Sequence, residues 1–531
     1  MKNTYFFFSA FTFTVVLSFS QNVTFSEKIL TPGEEFSSVF GVSVDIQESV
    51  LVGSDPSDLN GAVPSTGAAY IYRKNNNGNF EFEQKLKAPL LEAGDVYGTD
   101  VAINGDFIAV GSSRYEFANT TSGLPIVNKA GAVFLYKYNT NTSQWDLVNQ
   151  IFAPTRLLFH EFGWRLLITD TQLFISEIYY KNTSVNALRT GKVHIYDYDN
   201  DGNVTYNQGV DNPEPTSHDF FGSEIALSGN TLAVGARGEQ LDENGTNQLT
   251  NAGAVYIFEK DDLGFYNLQQ KILPNPRVAF ANFGEGLDIY NNTLAVGAVG
   301  EVSMVPGTSD VADCGVAYIF KKIGSTWSQT ASIIPPTVEF NANYGSSINL
   351  KDNIVFIGYE GGRVPYNGST RNSGLVEQIT LDNSGQVTNK FTIAPPFPDT
   401  TNEFGYITSW DGNQLAVGVY ADRGDIDGNL ILSGTVSPGA IYVYDTNATL
   451  STNAFSSVKL KVTNPVKEEI TVFNLKEKAN YTLYDLYGKL ILQGNIITSN
   501  PSIDLSLITN GIYLLSIHSK NSPQDFKIIK K

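Results

Sequence analysis

An aromatic residue followed by glycine recurs seven times along the chain, as Phe40-Gly41, Tyr97-Gly98, Phe162-Gly163, Phe221-Gly222, Phe283-Gly284, Tyr344-Gly345 and Phe404-Gly405. Successive glycines lie 57, 65, 59, 62, 61 and 60 residues apart, so most of the 531 residues are copies of one unit spread along the chain, not one large core. A second apolar run follows each pair, seen as Leu51-Val52-Gly53, Ala109-Val110-Gly111, Ala233-Val234-Gly235, Ala295-Val296-Gly297 and Ala416-Val417-Gly418, with weaker copies at Phe174-Ile175-Ser176 and Phe356-Ile357-Gly358. A third run opens on glycine, as in Gly131-Ala132-Val133-Phe134 and Gly253-Ala254-Val255-Tyr256. A fourth ends at proline, as in Gln84-Lys85-Leu86-Lys87-Ala88-Pro89 and Gln270-Lys271-Ile272-Leu273-Pro274. Four short runs rich in β-branched and aromatic residues predict one four-stranded antiparallel sheet per copy.

Such units bury their faces only by stacking, along a line or around an axis. The termini decide for the axis. The seventh copy runs out after its third strand, and the missing fourth strand lies at the other end, where Phe25-Ser26-Glu27-Lys28-Ile29-Leu30-Thr31-Pro32 matches the fourth-run pattern. An N-terminal strand completing the last sheet closes a ring and leaves no exposed edge. The predicted fold is all-β: a seven-bladed β-propeller followed by a small β-sandwich. Composition agrees, with 33 Phe, 27 Tyr and 47 Gly against only 17% charged residues. A net charge of −19 argues against nucleic acid and anionic membranes as partners.

Motif, period and copy number together resemble the FG-GAP repeat of the integrin α-subunit propeller, in its shorter bacterial secreted form, over about Phe25 to Tyr444. The resemblance implies a propeller fold. It also implies calcium in the turn between first and second strands, but these turns are tight here, as in Asn104-Gly105-Asp106, Ser228-Gly229-Asn230, Tyr290-Asn291-Asn292 and Asp411-Gly412-Asn413. Two or three turn residues do not surround an ion that needs six to eight oxygens, so neither calcium nor another cofactor is expected.

Residues 1–20 carry Lys2, an apolar run from Tyr5 to Leu17 and small residues before Gln21, the pattern of a signal peptide cleaved between Ser20 and Gln21. Residues 21–445 are assigned to the propeller, 446–456 to a Thr/Asn/Ser-rich linker and 457–531 to a separate unit. In that unit, Val462-Thr463-Asn464-Pro465, Tyr481 to Lys489, Gly511-Ile512-Tyr513 and the ending Phe526 to Lys531 read as alternating strands and turns. Their order resembles the type A C-terminal sorting domain of the type IX secretion (Por) system of Bacteroidota. The resemblance implies export to the cell surface or the medium through the type IX machinery, with Lys527, Lys530 and Lys531 as part of the address.

The single cysteine, Cys314, excludes an internal disulfide and reads as a small semi-buried residue. Asp197, Asp199 and Asp201 alternate like a calcium loop, but no Glu stands at the twelfth position and the segment is expected to be a polar hairpin turn. Arg423-Gly424-Asp425 is an adhesive tripeptide by composition alone. His160 and His218 precede successive aromatic-glycine pairs and are expected near blade entrances. No nucleophile elbow, phosphate loop or zinc spacing is present. The expected function is therefore a secreted or cell-surface binding or adhesion protein with an extracellular protein or glycan ligand; an extracellular polysaccharide-acting enzyme and a structural surface protein are the alternatives. The second-to-third connections are long, as in Ser112 to Ala130 and Val419 to Pro438, whereas the other hairpins are short, with Asn76 and Asn383 in turns of the opposite face. A ligand is expected on the long-loop face, with Arg114, Tyr115, His160, His218, Arg423 and Asp425 as rim candidates.

Overall fold

The computed structural model describes residues 22–32, 39–60, 63, 65–90, 92–116, 129–302, 313–366, 369–398, 403–430, 437–448, 461–473, 475, 478–485, 489–498, 501–519 and 522–531. The signal peptide with its Ser20–Gln21 junction lies outside the described residues, as does most of the expected linker. The described regular structure is strand throughout, in two compact units, Met1–Ala448 and Thr449–Lys531.

The first unit holds seven four-stranded antiparallel sheets. Their innermost strands are Val44–Gln47, Tyr97–Asn104, Phe162–Ile168, Phe221–Ser228, Phe283–Tyr290, Ile348–Lys351 and Ile407–Trp410. Each packs against the next and the last against the first, which closes the ring. In blade 7 the chain supplies Ile407–Trp410, Gln414–Val419 and Ala440–Ala448, and Asn22–Ile29 adds the outer strand. Phe25 stands opposite Tyr444 and Ile29 opposite Ile441, the pairing expected from the sequence. The last propeller strand runs to Ala448, beyond the expected boundary at 445. Thr446 is buried, donates its N–H to Asn413 O at 2.8 Å and accepts the Trp410 indole N–H at 3.0 Å, so it belongs to the blade and not to a linker.

The repeated glycines make the seams between blades. Gly131 opens a third strand with φ +86° and bridges Phe162 of the next blade, and a Cβ there would lie 2.0 Å from the Phe162 carbonyl oxygen. All seven aromatics of the pairs are fully buried. At this position only glycine combines the left-handed backbone with the close approach, which is why the motif repeats. The fourth run carries a second seam. Gln84 grips the Trp145 backbone of the next blade, donating to its carbonyl at 2.9 Å and accepting its N–H at 2.7 Å, and Gln270 holds Trp327 likewise at 2.9 and 2.8 Å.

One element was not expected. Within blade 6 the second-to-third connection carries its own hairpin, Arg363–Tyr366 with Ser369–Asn372. The second unit is the expected sandwich: a three-stranded and a four-stranded sheet share a core of Val466, Ile470, Val472, Leu483, Ile503, Leu515, Ile517 and Ile528. Lys530 is buried there and donates its ammonium to Lys467 O at 2.6 Å, so it is a structural residue of the tail and not an exposed part of an address.

Candidate functional site

The innermost strands surround a polar channel of about 300 Å³ on the ring axis. The pattern that follows each aromatic-glycine pair turns alternate residues toward the axis, so Asp45, Asp100, Arg165, Glu224 and Asp288 line it. Three of these acids tie neighbouring blades together. Asp45 accepts the Ser409 hydroxyl at 2.7 Å and the Ile103 N–H at 2.8 Å; Asp100 accepts the Ser43 hydroxyl at 2.7 Å and the Leu166 N–H at 2.8 Å; Asp288 accepts the Leu350 N–H at 2.6 Å. Burial pushes Asp45 up to about 6 and Asp288 up to about 7 against these hydrogen bonds. Glu224, paired with Arg165 at 3.0 Å, is also raised by burial to about 7.

At the end carrying the long second-to-third connections and the blade-to-blade connections, the channel opens into a concavity of about 520 Å³. Arg114, Trp164, Arg237, Glu285, Glu360 and Tyr406 line this mouth, one from each of blades 2 to 7. The charges are paired: Arg237 Nη1 lies 2.7 and 2.9 Å from the two oxygens of Glu285, Arg114 Nε lies 3.2 Å from Glu161, and Glu360 accepts the Asn343 amide. Tyr406 packs edge-on against Tyr420 at 4.8 Å between ring centroids, and the Arg165 guanidinium lies 5.9 Å from the Trp164 ring. Aromatic faces next to oriented donors and acceptors suit reversible binding of a polar ligand. Except for Arg114, these residues were not foreseen. The signal was in the repeat: Trp164, Glu285 and Tyr406 directly follow an aromatic-glycine pair, and Arg237 and Glu360 stand two residues after the glycine of the second run.

Beneath the rim, buried brackets anchor the loops of blades 1, 3, 4, 5 and 7. Four residues after the glycine of the second run stand Glu239, Glu301 and Asp422, and each accepts a tyrosine hydroxyl from the third strand, from Tyr256 at 2.7 Å, Tyr318 at 2.7 Å, and Tyr442. The fourth-strand lysine adds an ion pair in blades 1, 4 and 7, where Lys85 reaches Asp58 at 2.8 Å, Lys271 reaches Glu239 at 3.5 Å and Lys28 reaches Asp422 at 3.0 Å. Blade 3 substitutes histidines: Glu177 lies 2.7 Å from both His160 Nδ1 and His194 Nε2. Burial works to raise Glu177, but the two histidine hydrogen bonds outweigh it and hold the carboxyl below its ordinary value.

These brackets correct several rim candidates. Tyr115 is 1% exposed and packs edge-on against Phe134 at 5.2 Å, because in blade 2 this pair replaces the acid and tyrosine of the bracket. His160 is 5% exposed and held by Glu177, so it supports the rim, and only its edge reaches a concavity between blades 2 and 3. His218 is exposed against Phe220, and the two histidines have different surroundings. Arg423 is exposed, whereas the Asp425 carboxylate caps its own turn, accepting N–H groups from Asp427 at 3.0 Å and Asn429 at 2.8 Å; an adhesive tripeptide needs that carboxylate free. Asp197, Asp199 and Asp201 do not converge. Asp199 caps the hairpin turn through Asp201 and Asn203, both at 2.9 Å, while Asp197 on the strand accepts amides from Gln172 and Asn207. Cys314 is fully buried and donates to Glu301 O.

Residues 80–136 and 213–258 match the FG-GAP repeat, and residues 464–531 match the secretion system C-terminal sorting domain. No curated protein matches the chain. Among solved structures, the chain is similar to the Sqt1 protein of Saccharomyces cerevisiae, with 10% identity, 80% of this chain and 98% of that one covered, and a TM-score of 0.42. It is likewise similar to the periplasmic gluconolactonase of Pseudomonas aeruginosa, with 12% identity, 70% and 96% covered, and a TM-score of 0.44. The first unit is thus a β-propeller that carries FG-GAP repeats at residues 80–136 and 213–258. The chain that carries it is exported by type IX secretion, whose machinery engages the C-terminal sorting domain, and is attached to the cell surface or released.

Proposed function

We propose that this exported propeller is a non-catalytic binding protein that holds its ligand in the mouth of the channel, without calcium or another cofactor. The observation that carries the reading is the mouth itself, where Trp164 and Tyr406 stand beside the Arg237–Glu285 pair on a frame fixed by seven seams. Rigid rings with oriented polar partners recognise a ligand at little entropic cost. Calcium has no role in the reading because two residues separate the paired strand ends in blades 1, 2, 4, 5 and 6, as between Asn104 and Phe107 or Ser228 and Thr231, too few to encircle an ion.

The test is a glycan and matrix-protein array probed with the exported protein, with and without chelator, while hydrolysis products are followed. Saturable binding that Trp164→Ala and Tyr406→Ala each weaken about tenfold supports the reading; binding abolished by chelator contradicts it. One feature favours an enzyme instead, namely Glu224, which lines the channel and whose carboxyl burial raises to about 7. Product release that disappears in Glu224→Gln would establish that alternative.

A further inference from the structure

A second concavity of about 390 Å³ lies on the same face, between the long loops of blades 2 and 3. Its walls bring together Arg114, Lys129, Lys181 and Arg189 with Phe159 and Tyr179. Among the described residues one carboxylate lines it, Glu161, which is buried and lies 3.2 Å from Arg114 Nε. Four cations around one carboxylate leave an excess of three positive charges, in a chain whose net charge is −19. The cations are also supported by rings. The Arg189 guanidinium stacks over Tyr179 at 4.7 Å, the Lys129 ammonium lies 5.6 Å from the Phe159 ring, and Phe159 itself is 51% exposed.

We propose that this pocket binds an acidic sugar unit, its carboxylate or sulfate held by the four cations and its ring face laid on Phe159, an inference that rests on the reading of this face as the binding surface. Guanidinium groups grip planar or tetrahedral oxyanions through paired N–H donors, and a desolvated anion opposite several cations gains more than one on an open surface. The volume suits one or two rings. An acidic peptide fits less well, since among the described residues the walls are loops and offer no strand edge along which an extended backbone can pair. The overall negative charge disfavours densely charged polymers, while salt confines each charge to about 8 Å, so a sparsely charged or short glycan meets the local positive field.

The experiment titrates the exported full-length protein calorimetrically with trigalacturonate, a sulfated trisaccharide, neutral trigalactose and hexaglutamate, at low and high salt. At least one acidic sugar is expected to bind about tenfold or more tighter than the neutral one, with an affinity that falls with salt; the tighter of the two identifies carboxylate or sulfate as the group. Arg189→Gln and Lys181→Gln, both surface changes, are each expected to weaken that binding about tenfold with the melting temperature unchanged, and Trp164→Ala to leave it intact. Equal affinity for trigalactose, tighter binding of hexaglutamate, or wild-type affinity in both variants overturns the proposal. Array ligands that depend on Trp164 and Tyr406 but not on Arg189 would leave the mouth reading standing and this pocket refuted; an array without any ligand refutes the mouth reading whatever the titration gives.

Discussion

The Lys28 ammonium lies 3.0 Å from Asp422 Oδ1 and 2.9 Å from the carbonyl oxygens of Gly424 and Asp425, beneath the ring of Tyr442. Both charged groups are out of water, and burial lowers the lysine pKa. Removing one partner of such a pair strands the other charge, so Lys28→Met is expected to cost about 3–5 kcal/mol in denaturant unfolding, whereas Lys192→Met, whose partner Asp211 is exposed, costs under about 1 kcal/mol. The channel acids give a pH prediction. Asp288 is raised to about 7 from an unfolded value of 3.8, so between these values the folded state binds a proton that the unfolded chain does not. By linkage its contribution to stability falls as pH rises through that window. Asp288→Asn keeps an acceptor for the Leu350 N–H without the charge, and is expected to reduce the loss of melting temperature between pH 5 and pH 8; an unchanged difference contradicts the assignment. The lysine of the fourth run is visible in the sequence as a repeated residue, but its acid partner is not, because it lies in a long loop where acids read as solvated. Tyr115 misled for a related reason. Set among Ser113, Arg114 and Glu116 it reads as surface, and only the comparison with Glu239 and Glu301 at the same repeat position shows that it fills a bracket site.

At the scale of strands, the seam glycines and the closing strand were legible, because each answers a requirement that no other residue or segment meets. Gly131→Ala places a Cβ 2.0 Å from the Phe162 carbonyl at φ +86°, and the strain and overpacking together are expected to destabilise the propeller by about 3 kcal/mol or more. Deleting residues 21–32 removes the outer strand of blade 7 and bares the edge of Ala440–Ala448. Aggregation or a marked fall in melting temperature is the expected result, and an unchanged melting temperature contradicts closure. The blade 6 hairpin escaped notice although Asn367-Gly368 is a strong turn signal, since Pro365 breaks the run that would have been read as a strand. The mouth was legible only as a face. Loop lengths single out one end of the ring, but which side chains meet across the axis depends on closure among seven copies, and spacing within one copy does not contain it.

At the scale of the molecule, the sorting tail and the propeller are separate units. Residues 457–531 fused to an inert reporter with a signal peptide are expected to carry it to the surface in a host with type IX machinery, and periplasmic retention there would contradict the sorting role. The propeller then presents the long-loop face of a frame whose inner acids and glycines are committed to holding blades together. Recognition through this face, as proposed, is tested most directly by hydrogen exchange with and without the strongest array ligand. Protection is expected in the segments carrying Trp164, Arg237 and Tyr406, with the opposite-face turns at Asn76 and Asn383 unchanged; protection confined to those turns would contradict it.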